Sequence, residues 1–489
     1  MQILFQVQRY KKFCTFVHVK RIILALLSIF SLCARAQSVE PALPFGPEAP
    51  KHELRGVWLT TLWGLDWPKT RGTGTRVVEE QKKSLRGILD ELQEDGINTV
   101  FLQTRVRGTV IYPSRIEPWD GCFTGKEGRD PGWDPLAFAI DECHKRGMEL
   151  HAWVVTLPMG KTQSAKVVRA MKLLRHDGAY YMDPTKAETA HFIANICREI
   201  VSRYDVDGIH FDYIRYPEGF KRSRQKPELI TRIVEESHKA VKQLKPWVRF
   251  SCSPIGKAGD LARQSAKGWS SEAVGQDALG WVRQGLMDLL CPMMYFKGDI
   301  FYPFAADWQE RTAGKGLVAP GMGIYFLSPK EKDWPLEEIT RELSFLRQMG
   351  LGGAVYFREQ FLSDNVKGLR SWLRTHYYRT PALLPPLPGA PSDSLGRPVL
   401  TATGHRGGEG LYTVEGSPRY VLYASETEPV DTGNPANIVR IVYGDGNPSG
   451  RAEIGYDMLT ARAFGLHLAV TALDRWGRES APLPLPLIE

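Results

Sequence analysis

Cysteine is scarce in this 489-residue chain: seven in all, with Cys14 and Cys33 inside the first 36 residues. The other five, Cys122, Cys143, Cys197, Cys252 and Cys291, are odd in number, and none forms a C-x-x-C pair. A disulfide framework is therefore not expected, and buried thiols are the expectation. Long apolar runs are also scarce. Ile22–Leu32 is about eleven residues, too short to span a bilayer comfortably. It follows Lys20-Arg21 and precedes Ala34-Arg35-Ala36, a small-x-small cleavage site before Gln37. Residues 1–36 thus read as a secretory signal peptide, and the mature chain is expected to be exported, periplasmic or extracellular, with no membrane span.

Several chemistries lack their motifs. No H-x-H, H-x-x-x-H or H-E-x-x-H occurs, which removes the ligand spacing of a zinc hydrolase. No G-x-S-x-G occurs, so an esterase nucleophile has no elbow. Gly160-Lys161-Thr162 looks like the end of a phosphate loop, but Val155 stands where its first glycine must be. No metal or organic cofactor is implied. Net charge is also small in substance. The formal value is +8, but residues 1–36 hold six Lys or Arg and no acid, leaving 57 basic against 55 acidic groups. Without a basic stripe, a nucleic-acid partner is not expected. At 43% hydrophobic and 24% charged, the chain is neither disordered nor fibrous.

What is present is alternation. Short apolar runs suggest strands at Gly56–Leu62, Thr99–Arg105, Glu149–Val155, Gly208–Phe211, Arg249–Ser253, Asp288–Met294, Gly316–Pro320 and Gly353–Phe357. Helical patterns follow them: Arg76–Glu94, Pro135–Lys145, Ala187–Tyr204, Pro227–Leu244, Asp277–Gln284, Phe304–Thr312, Leu336–Gln348 and Asp364–Arg374. Eight such units predict an α/β fold, a (β/α)8 TIM barrel over residues 53–375. Its extra length lies in the loops Arg107–Trp133 and Thr156–Asp183. A proline-rich stretch, Thr380–Pro398, reads as a linker. Beyond it, short alternating runs at Tyr420–Ala424, Ile438–Tyr443 and His467–Leu473 predict a small all-β sandwich over 399–489.

The densest chemistry lies in Asp207-Gly-Ile-His-Phe-Asp-Tyr-Ile-Arg-Tyr-Pro217. As a strand it places Gly208, His210 and Asp212 on one face and Ile209 and Phe211 on the other. The apolar pair should face helices, and Asp212 should then point into the barrel mouth, where carboxylates are catalytic. Asp207 precedes the strand and reads as a turn or capping residue. Gln103 and Arg105 on strand two, with Arg107 after them, offer donors for hydroxyls or carboxylates. His151 and Trp153 share a face of strand three, either as sugar-binding groups or as interior packing. Trp63, Asp66 and Trp67 follow strand one; Tyr295 and Asp299 follow strand six; Arg358 and Glu359 follow strand eight. Aromatics mixed with charges around one mouth suit a carbohydrate cleft better than an apolar cofactor pocket.

The barrel segments resemble the bacterial glycosyl-hydrolase-like family ten, a group of exported glycosidase-like proteins. The matching stretches include Leu54-Arg-Gly-Val-Trp-Leu-Thr-Thr61, Gly96 to Arg107 with Tyr112-Pro-Ser114, Asp134-Pro-Leu136 and His151-Ala-Trp-Val154. Others are Tyr181-Met-Asp-Pro184, the strand-four segment, Ser253-Pro254 and Cys291-Pro-Met-Met-Tyr295. The resemblance implies an exported barrel glycosidase acting on envelope polysaccharide, with peptidoglycan glycan strands as substrate. It also implies that Asp212 is the strand-four carboxylate, and that Arg105, Tyr213, Arg215 and Tyr216 form its polar surround. Met293 departs from the pattern, standing where Gln is expected. The segment from His467 to Ser480 resembles the last strands of fibronectin type III modules, with Tyr412 in place of the usual early Trp.

Asp212 is then general acid or nucleophile, and glycoside cleavage usually needs a second carboxylate. Asp299, Glu359, Glu218 and Asp66 qualify by position, and Glu359 is carried forward as the partner. A 2-acetamido group on the sugar would offer a third route, attacking with its own oxygen. Gln103, Arg105, His151, Trp153, Tyr213, Arg215 and Tyr295 are expected to line the subsites. Two rivals remain: a non-catalytic glycan-binding protein on the same barrel, and a metal-dependent deacetylase or amidase.

Overall fold

The structure is a computed structural model in which the described residues are 49–160, 171, 173–176, 178–217, 226–312, 314–447 and 449–488. The expected signal peptide, Glu218, and parts of the loop Thr156–Asp183 lie outside them.

Eight parallel staves form a ring. They are β1 (Leu54–Leu59), β2 (Thr99–Arg105), β3 (Glu149–Val155), β4 (Gly208–Asp212), β5 (Arg249–Cys252), β6, β7 and β8 (Gly353–Tyr356). β6 is split into Leu289–Leu290 and Met293–Met294, and β7 into Leu317–Val318 and Gly321–Met322. Pro292 and Pro320 sit at the breaks, where a residue without an N–H cannot join the ladder. Each stave pairs in parallel with the next, and β8 pairs back onto β1. The ring is therefore closed, a TIM barrel.

Alternation along the staves sorts side chains into two cores. Ile209 and Phe211 of β4 face the helices with Val57, Leu102, Val154 and Phe250, as expected from the pattern. Trp58, Phe101, Trp153, Val155, Leu289, Cys291 and Val355 fill the ring itself. Rings fit there because glycine stands opposite them. A Cβ on Gly208 would lie 2.5 Å from His151 Nδ1, and one on Gly321 would lie 2.9 Å from the Trp58 ring.

The outer layer comprises α1 (Thr75–Glu94), α2 (Pro135–His144), α3 (Ala187–Arg203), α4 (Pro227–Lys242), α5 (Ala278–Arg283), α6 (Phe301–Thr312) and α7 (Leu336–Gln348). On α1, Gln81, Leu85, Leu89 and Leu92 make the buried stripe at helical spacing. The expected helix Asp364–Arg374 is instead broken. Glu359–Ser363 forms α8 and Leu369–Trp372 forms α9, because Asn365 and Gly368 take left-handed φ between them.

Several motifs that carried the resemblance do architectural work. Asp134 caps α2 through Ala137 N–H at 3.0 Å and also accepts from the Tyr204 hydroxyl at 2.7 Å. Tyr112 and Ser114 both donate to Glu199 of α3, at 3.1 and 2.6 Å, pinning the loop after β2 to the outer layer.

The chain after the barrel forms two antiparallel sheets. β9 (Val399–Arg406), β10 (Glu409–Glu415) and β13 (Ala452–Asp457) make one. β12 (Ile438–Tyr443), β11 (Arg419–Ser425), β14 (His467–Leu473) and β15 (Leu483–Leu485) make the other. Tyr412, Val414, Leu422, Ile454, Leu468 and Val470 form their shared core. β9, β10 and β13 were not foreseen, since exposure on one sheet face weakens the apolar signal.

The proline-rich stretch is not a free linker. Leu383 exchanges backbone bonds with Lys51 and Glu53, at 2.8 and 2.9 Å. Leu383 packs with Val421, Tyr423 and Leu473 of the sandwich, while Leu384 joins the core inside the ring. The sandwich thus docks against the barrel floor. A buried Arg419 there bonds Glu149 at 2.7 Å, Arg475 bonds Asp205 at 2.5 Å, and Tyr443 stacks on His144 with centroids 4.0 Å apart.

Candidate active site

β4 delivers Asp212 to the top of the ring, where it is 7% exposed. Its carboxylate accepts three bonds: Tyr213 N–H at 2.7 Å, Ser253 Oγ at 3.1 Å and Trp153 Nε1 at 3.2 Å. Burial raises its proton affinity, and this outweighs the Arg215 guanidinium and the three donors, which act the other way. The pKa of the group is thereby raised from its ordinary carboxyl value. Trp153 belongs to the neighbouring stave β3 and Ser253 directly follows β5, so both flanks of β4 orient the same carboxyl. Ser253 was named only as part of a motif; nothing in the sequence marked it as a partner of Asp212.

An aromatic wall stands beside this acid. Tyr295 stacks on Phe357, with centroids 5.5 Å apart, and meets Tyr325 edge-on at 5.8 Å. Burial, then the Asp212 charge, holds the Tyr295 hydroxyl well above its usual range, so it stays a protonated donor. Tyr213, next to Asp212, is 37% exposed at φ +55, and the Arg215 guanidinium lies 4.2 Å from its ring centroid. Trp153, Tyr213, Arg215 and Tyr295 therefore gather around Asp212. Met293 lies half-buried on the second half of β6.

Three expected subsite residues do not join them. Arg105 is fully buried; it forks onto Glu117 at 2.7 and 2.6 Å and also donates to the Val155 and Thr156 carbonyls. It ties the long loop after β2 to the end of β3. His151 lies inside the ring against Phe101, with Nε2 3.2 Å from Glu149. Gln103 accepts from Thr60 Oγ1 at 2.5 Å and from the N–H groups of Thr61 and Leu62, at 3.1 and 2.9 Å. Its work is to shape the turn after β1. Side-chain alternation gave the correct face for all three, but His151 lies deep in the ring, and Gln103 and Arg105, at the upper end of β2, are taken up by buried partners. Tyr216 is likewise buried, packed against Gly275. Asp207 sits at the floor, bonded to His144 at 2.8 Å and Leu150 N–H at 2.9 Å, a clamp rather than a cap.

The candidate partner acids are also displaced. Glu359 is buried at the start of α8, bonded by Ser363 Oγ. Burial and then Asp66 raise its pKa to about 7, with Lys69 and Glu91 of α1 as its next charged neighbours. Ser363 is its hydrogen-bond partner, and Asp66, in the loop after β1, is its strongest charged neighbour. Asp66 is fully buried, holding Arg358 and the Thr60 N–H, so it locks the loops after β1 and β8 together. Trp67 is buried against Phe123 in the outer core. Asp299 is exposed on a short turn. Among the described residues, no three His, Cys, Asp or Glu side chains are grouped to hold a metal. All five described cysteines are buried thiols, and no described helix is long and apolar enough to cross a membrane.

Residues 53–229 match the family Glycosyl hydrolase-like 10. The chain is 29% identical over 404 residues to glycosyl hydrolase YngK of Bacillus subtilis (strain 168), covering 74% of this chain and 79% of that protein. It is 30% identical over 383 residues to glycosyl hydrolase DigH of Escherichia coli (strain K12), covering 65% of this chain and 86% of the relative. Among solved structures, the PgaB (BpsB) glycoside hydrolase domain from Bordetella bronchiseptica aligns at a TM-score of 0.45 and 15% identity, over 66% of this chain and 99% of that one. The chain, a closed barrel with its acid at the mouth, belongs to the Glycosyl hydrolase-like 10 family.

Proposed function

We propose that this protein is an exported glycoside hydrolase that cleaves O-glycosidic bonds in envelope polysaccharide, with peptidoglycan glycan strands as its substrate. Membership of a glycan-acting hydrolase family supports the reaction class. The observation that carries it is Asp212: a carboxyl at the mouth, oriented by two flanking staves and kept above its ordinary range by burial. The leader-like residues 1–36 support export. The three-plus-four strand order of the sandwich supports a fibronectin-like module, acting here as a brace for the barrel floor.

In this reading, protonated Asp212 gives its proton to the leaving glycosidic oxygen. The carboxylate so formed then takes a proton from water as that water attacks the anomeric carbon. Asp66 and Glu359 are occupied elsewhere, which supports attack by the sugar's own 2-acetamido oxygen in the first step. An N-acetylated glycan meets that requirement.

The test is digestion of purified glycan strands, with and without stem peptides, by wild type and Asp212→Asn. Mass spectrometry should show new reducing ends with wild type, and a loss of about 10²–10⁴-fold in the variant. Release of acetate or peptide without new reducing ends, abolished by a chelator, would establish the deacetylase or amidase rival instead. Retained binding with no turnover in either protein would establish a binding module.

A further inference from the structure

We infer that the mouth binds a glycan chain on both sides of Asp212, with Trp63 as the stacking platform on one rim and Trp269 on the other, so that cleavage is internal to the chain. This rests on the glycosidase reading above. Among the described residues, eight large hydrophobic side chains are exposed. Four of them, Trp63, Leu65, Tyr213 and Trp269, lie on loops that leave the C-terminal ends of staves. Trp63 is 66% exposed and Trp269 is 44% exposed.

Topology separates the two. Trp63 follows β1 and Trp269 lies in the loop after β5, and in this closed ring β1 and β5 are opposite staves. Strands about 4.8 Å apart and tilted by roughly 36° put opposite staves on the order of 15 Å apart. That span exceeds one sugar ring, and Asp212 of β4 lies on the intervening arc. An aromatic on each rim suits a chain that continues past the scissile bond in both directions. A site closed around one chain end would need a platform on one side only.

Both platforms are held in place. Trp63 takes φ +55, inside a turn whose backbone N–H groups bond Gln103 and whose Trp63 carbonyl accepts from Arg71. A left-handed non-glycine residue costs on the order of 1–3 kcal/mol and persists where the surroundings enforce it. The Arg107 guanidinium lies over the Trp63 ring, 5.6 Å from its centroid, so it backs one face and leaves the other for a sugar. Trp269 follows Lys267 at φ +55 and Gly268 at φ +74. Its N–H bonds the Ala266 carbonyl at 3.2 Å, and the turn is anchored by Asp260, which accepts from Ala266 N–H at 2.6 Å. An exposed ring on a fixed turn is a preorganised contact, which loses little entropy on binding.

The test uses a length series of reducing-end-labelled glycan oligomers, from the disaccharide upward. In the Asp212→Asn background, affinity should rise with length. Adding Trp63→Ala or Trp269→Ala should weaken long oligomers about tenfold each, the loss of one buried aromatic face. Both rings are exposed, so melting temperatures should not move. With active enzyme, the first products should be internal fragments of mixed length, and each Trp variant should shift the position of the first cut. Release of one small product from a single chain end, or affinity independent of length, would overturn the inference while leaving the glycosidase reading intact. Length-dependent, Trp-dependent binding with no bond cut by wild type would overturn the glycosidase reading and leave the two-sided site standing.

Discussion

Replacing Glu359 by Gln separates a catalytic carboxylate from a buried one. The side chain is 2% exposed, and its pKa is raised from 4.5 to about 7, chiefly by burial and then by Asp66. Below pH 4.5 the group is neutral in both folded and unfolded chains. Between about 4.5 and 7 the unfolded chain ionises while the folded one stays protonated, so rising pH destabilises the fold. Above 7 the folded protein carries the full penalty, a shift of about 2.5 units or on the order of 3 kcal/mol. Gln fits the same space, can accept from Ser363, and does not titrate. Denaturant melts of wild type and Glu359→Gln should therefore coincide near pH 4.5 and diverge by about 3 kcal/mol at pH 8, the variant being the more stable. Glycan turnover should stay within a few-fold of wild type. A loss of 10³-fold or more with no gain in stability would refute this reasoning and restore Glu359 to the catalytic pair.

Other outcomes follow from single contacts. Trp153→Phe removes an N–H that stabilises the Asp212 carboxylate, so the alkaline limb of the kcat/KM profile should move to higher pH; an unmoved limb would detach Asp212 from the acid role. Arg419→Ala strips a partner from buried Glu149, where burial favours the neutral acid but His151, Arg419 and Arg249 together outweigh it and hold the pKa down. Stability should fall by about 3–5 kcal/mol at neutral pH, and the deficit should shrink as pH drops below 4.5, measured by chemical denaturation. Gly208→Ala forces a Cβ to 2.5 Å from His151 Nδ1, and should cost roughly 1–3 kcal/mol with lowered activity, because β4 carries Asp212.

The barrel was legible because its signal is repetitive. Eight apolar runs, each with a following helical pattern, mark eight staves, and alternation within Gly208–Asp212 sends Asp212 inward. The partners of inward-facing side chains were not legible. Gln103, Arg105 and His151 have the right face, yet Arg105 is consumed by Glu117 and His151 sits beneath the mouth. A period-two pattern carries no information about which partner a buried cation meets. The same limit left the partner of Glu359 unread: the structure gives it Ser363, four residues on in α8. Trp269 was missed because the loop after β5 has no periodicity, and only its exposure separates it from buried Trp281 or Trp308.

β3 connects the two ends of the molecule physically. Its first residue, Glu149, is gripped from below by Arg419 of the sandwich, and its fifth, Trp153, donates to Asp212 at the top. Between them, His151 bonds Glu149 and fills the space left by Gly208 of β4. The strap at Leu383–Leu384 closes the same floor, adding apolar cover both to the ring interior and to the sandwich. Close packing transmits displacement rather than absorbing it, so the floor contacts fix the height at which Trp153 meets the acid. The sandwich is therefore part of what holds Trp153, and through it the buried Asp212 carboxyl, in place at the other end of the barrel.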